Sequence, residues 1–140
     1  MKILCPTDGS EYSVTALRRL LQHRSWFAEA PQLALLNVHP QLPYARAVAW
    51  AGKEAAHHYY EEEGSAALAA AAAVLEELGI PYERVMKIGD PAEEIVKFAV
   101  EWNADLLAIG RHGHSAVATL LMGSVAQKVM ATATIPVLFP

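Results

Sequence analysis

The sequence predicts an α/β fold built on a parallel sheet, with helices covering both faces. Three observations lead there. Short, continuously apolar runs alternate along the chain with longer stretches of helical periodicity. The runs end at glycine, proline or other turn residues, as buried strands do. No repeat, linker or low-complexity tract divides the 140 residues. Strands that are apolar throughout are buried on both faces, which is the condition of a parallel sheet between helices. Right-handed crossovers then leave few ways to thread the chain. Residues 1–140 are read as one domain, long enough to bury roughly two-thirds of its unfolded surface without a disulfide or a metal.

Residues 2–6 form the first strand. From residue 10 to about residue 30 Val14, Leu17, Leu20 and Leu21 recur at helical spacing. Residues 32–39 read as a second buried strand. Residues 40–53 carry two prolines and no clear period, and read as a loop leading into a helix. Residues 54–78 are helical in composition, with an alanine run at 66–73 and a stop at Gly79. The alanines give a small-residue face that lets a helix lie close to a sheet. Residues 81–88 alternate like a partly exposed strand. Gly89 and Asp90 turn into a helix opened by Pro91, whose missing N–H is not needed at that position. Residues 105–109 form a fourth strand, 125–133 a last helix and 135–139 a fifth strand. The sum is an open, Rossmann-like sheet.

Composition narrows the function. Hydrophobic residues make up 54% and charged residues 19%, a globular balance rather than a disordered one. The net charge of −4 offers no basic field to nucleic acid or anionic lipid, so any bound anion must be held by local geometry. The single cysteine, Cys5, sits in an apolar run and reads as a buried core residue. No segment approaches the roughly 18 apolar residues of a membrane span. The opening apolar run is too short for a secretory signal, and a cytoplasmic location is the expectation.

Open parallel sheets bind ligands beyond the carboxyl ends of the strands, where strand order reverses. In the order 3-2-1-4-5 that crevice lies between the first and fourth strands. The two most unusual loops of the sequence follow those strands: Pro6-Thr7-Asp8-Gly9-Ser10, and Gly110-Arg111-His112-Gly113-His114-Ser115. Gly110, Gly113 and Gly123 are spaced Gly-x-x-Gly-x9-Gly, with Ser124 directly after. Glycine permits positive φ and removes the Cβ that would keep a ligand from the backbone. Successive N–H groups can then turn toward an anion. Gly123-Ser124 also opens the last helix, whose free N–H groups and dipole favour phosphate. A Gly-x-x-x-x-Gly-Lys-Ser/Thr loop is absent, and no Gly-x-Gly-x-x-Gly follows the first strand, which argues against a dinucleotide.

These residues resemble the universal stress protein family over the whole chain. The resemblance runs through the Pro6–Ser10 loop, Leu36-Asn37-Val38-His39, Gly89-Asp90-Pro91 and Ile135-Pro136-Val137-Leu138. It is most specific at the Gly-x-x-Gly-x9-Gly-Ser pattern, the mark of the family's ATP-binding branch. It implies the sheet order above and ATP lying across the crevice, with Mg or Mn bridging its phosphates. It also implies a homodimer paired through the last strand. Pro140 offers no N–H there, so that edge is expected to be short. By the same resemblance Asp8 contacts the ribose and adenine side, next to Pro6, while the backbones of Thr7 and Val38 read the adenine edge. Gly110, Arg111, Gly113 and His114 line the ribose and α-phosphate. Gly123, Ser124 and Val125 hold the outer phosphates.

Several residues carry a second reading. Asp8-Gly9-Ser10-Glu11 has the spacing of a capping box with Asp8 as cap, so on sequence alone Asp8 is either a cap or a ligand. His112 and His114 lack a third partner for a metal site and read as loop residues. Arg111 either adds a charge-assisted bond to phosphate or faces water. His57 and His58 point apart on a helix and make no joint site. Glu61, Glu62 and Glu63 read as a solvated face. Function divides accordingly: a nucleotide-binding stress-response or signalling protein with little turnover, or a slow ATPase or phosphotransfer enzyme. The first is favoured because the loop holds no lysine and no base beyond Asp8.

Overall fold

The computed structural model describes residues 1–41, 44–114 and 122–140, with side chains outside 44–51 and 53. The elements in chain order are β1 (Lys2–Pro6), α1 (Glu11–Gln22), a 3-10 turn (Arg24–Trp26), β2 (Gln32–His39) and α2 (Tyr44–Glu77). They continue with β3 (Tyr82–Ile88), α3 (Pro91–Glu101), β4 (Leu106–Ala108), α4 (Ser124–Thr132) and β5 (Val137–Leu138). The sheet order is 3-2-1-4-5 and every pairing is parallel. Both are as the sequence predicts.

The two-residue period of a strand explains the layering. Ile3 and Cys5 of β1, with Leu33 and Leu35 of β2, face one side and pack on Leu17, Leu20, Leu68 and Leu75 of α1 and α2. Leu4, Ala34 and Leu36 face the other side, against Ile95, Ala99 and Val129 of α3 and α4. Ile3, Leu4, Leu35 and Leu36 are fully buried, each worth about 1.5–3 kcal/mol in removed apolar surface. Cys5 lies among them, and burial pushes its thiol up to about 12, so it stays protonated.

Several boundaries differ from the expectation, each for a local reason. The helix expected to run to residue 30 stops at Gln22, because apolar periodicity ends at Leu21. Beyond it Trp26 is exposed and stacks on His23 with ring centroids 4.2 Å apart. The stretch 40–53 is not a loop throughout. Helix begins at Tyr44, after both prolines, and continues through alanine-rich sequence to a break at Gly52 with φ +78°. The expected end at Gly79 holds. Its φ of +63° lets Gly79 N donate to Glu76 O and Ile80 N to Leu75 O, closing the helix. The fourth and fifth strands are shorter than 105–109 and 135–139, pairing only as Leu107 with Val137 and Ala108 with Leu138. Among the described residues no helix is long and apolar enough to cross a membrane.

Candidate functional site at the sheet switch point

β1 pairs with β2 on one side and with β4 on the other, so the chain leaves β1 in opposite directions and opens a crevice beyond its carboxyl end. A cleft of about 390 Å³ occupies it. The loop after β1 supplies Pro6, Thr7 and Asp8, and β2 supplies Val38. The loop after β4 supplies Gly110, Arg111, Gly113 and His114, and the first turn of α4 supplies Gly123, Ser124 and Val125. All the residues expected from the sequence therefore line one cleft.

The loop after β1 is fixed from within. Thr7 N donates to Leu36 O at 2.9 Å, extending the sheet by one rung, and Asn37 Nδ2 donates to Thr7 O at 2.9 Å. The Thr7 backbone thus offers a ligand only the second lone pair of its carbonyl. Thr7 Oγ1 accepts from Gly9 N and lies 2.9 Å from Ser13 Oγ, which donates to Ser10 O.

Asp8 is not the helix cap. Ser10 is, its hydroxyl accepting from Ser13 N at 3.3 Å. Gly9, at φ +81°, turns the chain so that Asp8 precedes the cap by two residues. Asp8 Oδ1 accepts from Ser10 N at 3.0 Å and from Ser10 Oγ at 2.6 Å. Its other oxygen accepts from His114 N at 2.9 Å, and His114 Nε2 donates to Asp8 O at 2.8 Å. Burial pushes the Asp8 carboxyl upward, but the donors from Ser10, His114 and Ser13 outweigh it and hold it below the ordinary aspartate value.

None of the three loop glycines has a positive φ, and Gly110 and Gly113 act by close approach. A Cβ on Gly113 would strike Asp8 Oδ2, and one on Gly110 would stand 3.3 Å from His112 O and 3.4 Å from Ser13 Cα. Gly123 sits beside the backbone of Arg111, and its N–H donates to Arg111 O at 2.8 Å. The first helical bond of α4 runs from Gln127 N to Gly123 O, so the N–H groups of Ser124, Val125 and Ala126 precede the helical ladder. Gly123 brings no side chain to cap them. An uncapped helix start, with its positive dipole end, borders the cleft.

Sequence reasoning missed four contributors. His112 reads as a loop residue, yet it lines the cleft with Nδ1 buried and without a hydrogen-bond partner, its ring 5.6 Å from that of Tyr12. Asn37 and Ser13 hold the first loop in place. Glu63, taken as part of a solvated face, lines the cleft together with Ala67, and their spacing of four is the signal that could have shown it. His57 and His58 reach separate glutamates, Glu61 and Glu62, and make no joint site. Among the described residues no three His, Cys, Asp or Glu side chains gather to hold a metal. A larger hollow of about 790 Å³ lies at the opposite end of the strands, lined by Leu20, Leu21, Phe27, Ile80 and Tyr82. It has neither a strand carboxyl end nor a helix start, so we place function in the smaller cleft.

The family model for the universal stress protein family matches residues 1–139. This chain belongs to the universal stress protein family. Universal stress protein MJ0531 of Methanocaldococcus jannaschii is 35% identical over 138 residues, covering 98% of this chain and 79% of the relative. The solved structure of protein MJ0577, from the same organism, superposes with a TM-score of 0.81 at 30% identity, covering 99% of this chain and 93% of that one. A universal stress protein solved in complex with cAMP gives 0.61 at 25% identity, over 100% of this chain and 96% of that one. The family's fold is the sheet order and layering described above.

Proposed function

We propose that this universal stress protein binds an adenine nucleotide, ATP before others, across the cleft between β1 and β4. The observation that carries the reading is the uncapped start of α4. Ser124, Val125 and Ala126 present free N–H groups beside glycines that keep side chains out of the way. The family member bound to cAMP supports an adenylate as the ligand class. Asp8, Val38 and the Thr7 carbonyl serve the nucleoside end, and Gly110, Arg111, Gly113 and His114 serve the ribose and first phosphate. Mg or Mn carried with the nucleotide would offset phosphate charge at the end of the cleft near Ser124.

We read the chain as a binder with little turnover, acting in a cytoplasmic stress response or signalling. Asp8 is engaged by Ser10 and His114, and the described cleft lining contains no lysine to stabilise phosphoryl transfer. The open edge of β5, with Ile135, Val137 and Phe139 partly exposed, is where a second copy would pair. Mass analysis of small molecules released by denaturing the freshly purified protein tests the ligand. An adenylate at near-stoichiometric yield is expected. An unrelated metabolite in the cleft would overturn the assignment.

A further inference from the structure

Lys128 stands just outside the cleft lining, beside the first turn of α4. Lys128 of α4 is four residues beyond Ser124 and therefore on the same helix face, and helical side chains lean toward the N-terminus of their helix. Its ammonium accordingly reaches back to the opening of the helix. There it donates to Asp90 Oδ2 at 3.2 Å, on the start of α3. The residues next to this pair, Pro91 after Asp90 and Ser124 one turn before Lys128, both line the cleft. The ion pair thus spans two helix openings on the rim where outer phosphates would lie.

From this pair we infer that Lys128 is a specificity-determining residue that selects nucleotides carrying phosphates beyond the first. The inference rests on the nucleotide-binding reading. Asp90 does not need Lys128 for its structural task, since its Oδ1 accepts from Ala92 N at 3.0 Å and Glu93 N at 3.1 Å and so caps α3. The Lys128 bond is exposed on both sides, with side chains 62% and 37% accessible, and exposed ion pairs are weak and readily exchanged. Paired with Asp90, Lys128 neutralises a carboxylate that would otherwise repel a polyphosphate. With a β- or γ-phosphate present the same ammonium donates to the phosphate oxygen, a charge-assisted bond that Asp90 alone cannot match. A nucleoside monophosphate ends short of it. Lys128 would therefore separate ATP from AMP while contributing nothing to the base or ribose.

The test is calorimetric titration of the full chain with ATP, ADP and AMP, each with Mg²⁺ at fixed ionic strength. Lys128→Met should weaken ATP binding about tenfold and leave AMP within about twofold. Lys128→Arg should restore the ATP preference. Asp90→Asn retains a good capping residue and removes the competing charge, so it should tighten ATP and not AMP. A purely structural role for Lys128 would weaken ATP and AMP alike, and that result, or no change with either, would overturn the inference and leave nucleotide binding standing. Wild type that binds none of the three would remove both.

Discussion

Asp8 and His114, separated by 106 positions in sequence, hold each other twice: His114 N donates to the Asp8 carboxylate and His114 Nε2 to the Asp8 carbonyl. This pair fastens the loop after β1 to the loop after β4 across the mouth of the cleft. Gly113 makes it feasible, because any Cβ there would occupy the place of Asp8 Oδ2. The backbone of Gly113 is not in the left-handed region, so alanine at this position is opposed by that contact and not by φ.

Gly113→Ala should therefore leave the fold cooperative and cost about 1 kcal/mol, the net worth of one hydrogen bond. Its main effect should fall on the ligand. Saturating ATP with Mg²⁺ should stabilise wild type by linkage, by about 2.7 kcal/mol at a hundredfold excess over Kd, and so raise its melting temperature. The variant should show little of that rise. Differential scanning fluorimetry on both proteins, with and without nucleotide, measures it. Equal shifts would place the phosphates elsewhere.

The same carboxylate gives the protein an acid-dependent increment of stability. The folded value of Asp8 is depressed below its unfolded value, so the increment is fully present above the ordinary aspartate range, about 3.9. It is lost as pH falls from there through the lower folded value. Asp90, whose folded value is lowered chiefly by the Glu93 N–H and Lys128, carries the same sign. Asp8→Asn isolates the first contribution. Wild type should melt above the variant at pH 6–7, and the difference should shrink steadily below about pH 4. A gap that stays constant down to pH 2.5 would show that Asp8 contributes by packing alone.

How much of this was legible in the sequence varies with the range of the interaction involved. Strand positions followed from apolar runs such as residues 32–39, whose burial on both faces needs no tertiary detail, while the strand order came from the family resemblance. The helix start at Pro91 was equally plain, because a turn followed by proline is settled locally; that Asp90 caps it came from the structure. Asp8 was ambiguous for the opposite reason. Asp8-Gly9-Ser10 contains two capping side chains, and only the positive φ of Gly9 decides for Ser10. The glycines marked the right loop, but the crowding that explains two of them, Gly113 against Asp8 and Gly110 against Ser13, lies in contacts between segments distant in sequence. His112 and His114 look alike in sequence. His114 is tied to Asp8, while His112 is half-buried beside Tyr12 with a buried Nδ1 that has no hydrogen-bond partner, a difference set by the packing of Tyr12 and the first loop.

The open edge of β5 allows the proposed dimer to be tested without dismantling the core. The carbonyls of Pro136 and Leu138 accept from Leu107 N and Ile109 N, so these two residues face β4. In a parallel strand the alternate residues, Val137 and Phe139, then direct their N–H and C=O groups outward. Truncating the strand would remove Ile135, Val137 and Phe139, which pack against the core cluster containing Leu107 and Val129, and would uncover that core. Phe139→Pro instead removes one outward N–H, at an edge position where proline is tolerated. Light scattering should report twice the 15.2 kDa chain mass for wild type and the single-chain mass for the variant. Far-UV circular dichroism and a cooperative melt should persist in both. A variant that remains dimeric, or a wild type that is monomeric at tens of micromolar, would exclude pairing through β5.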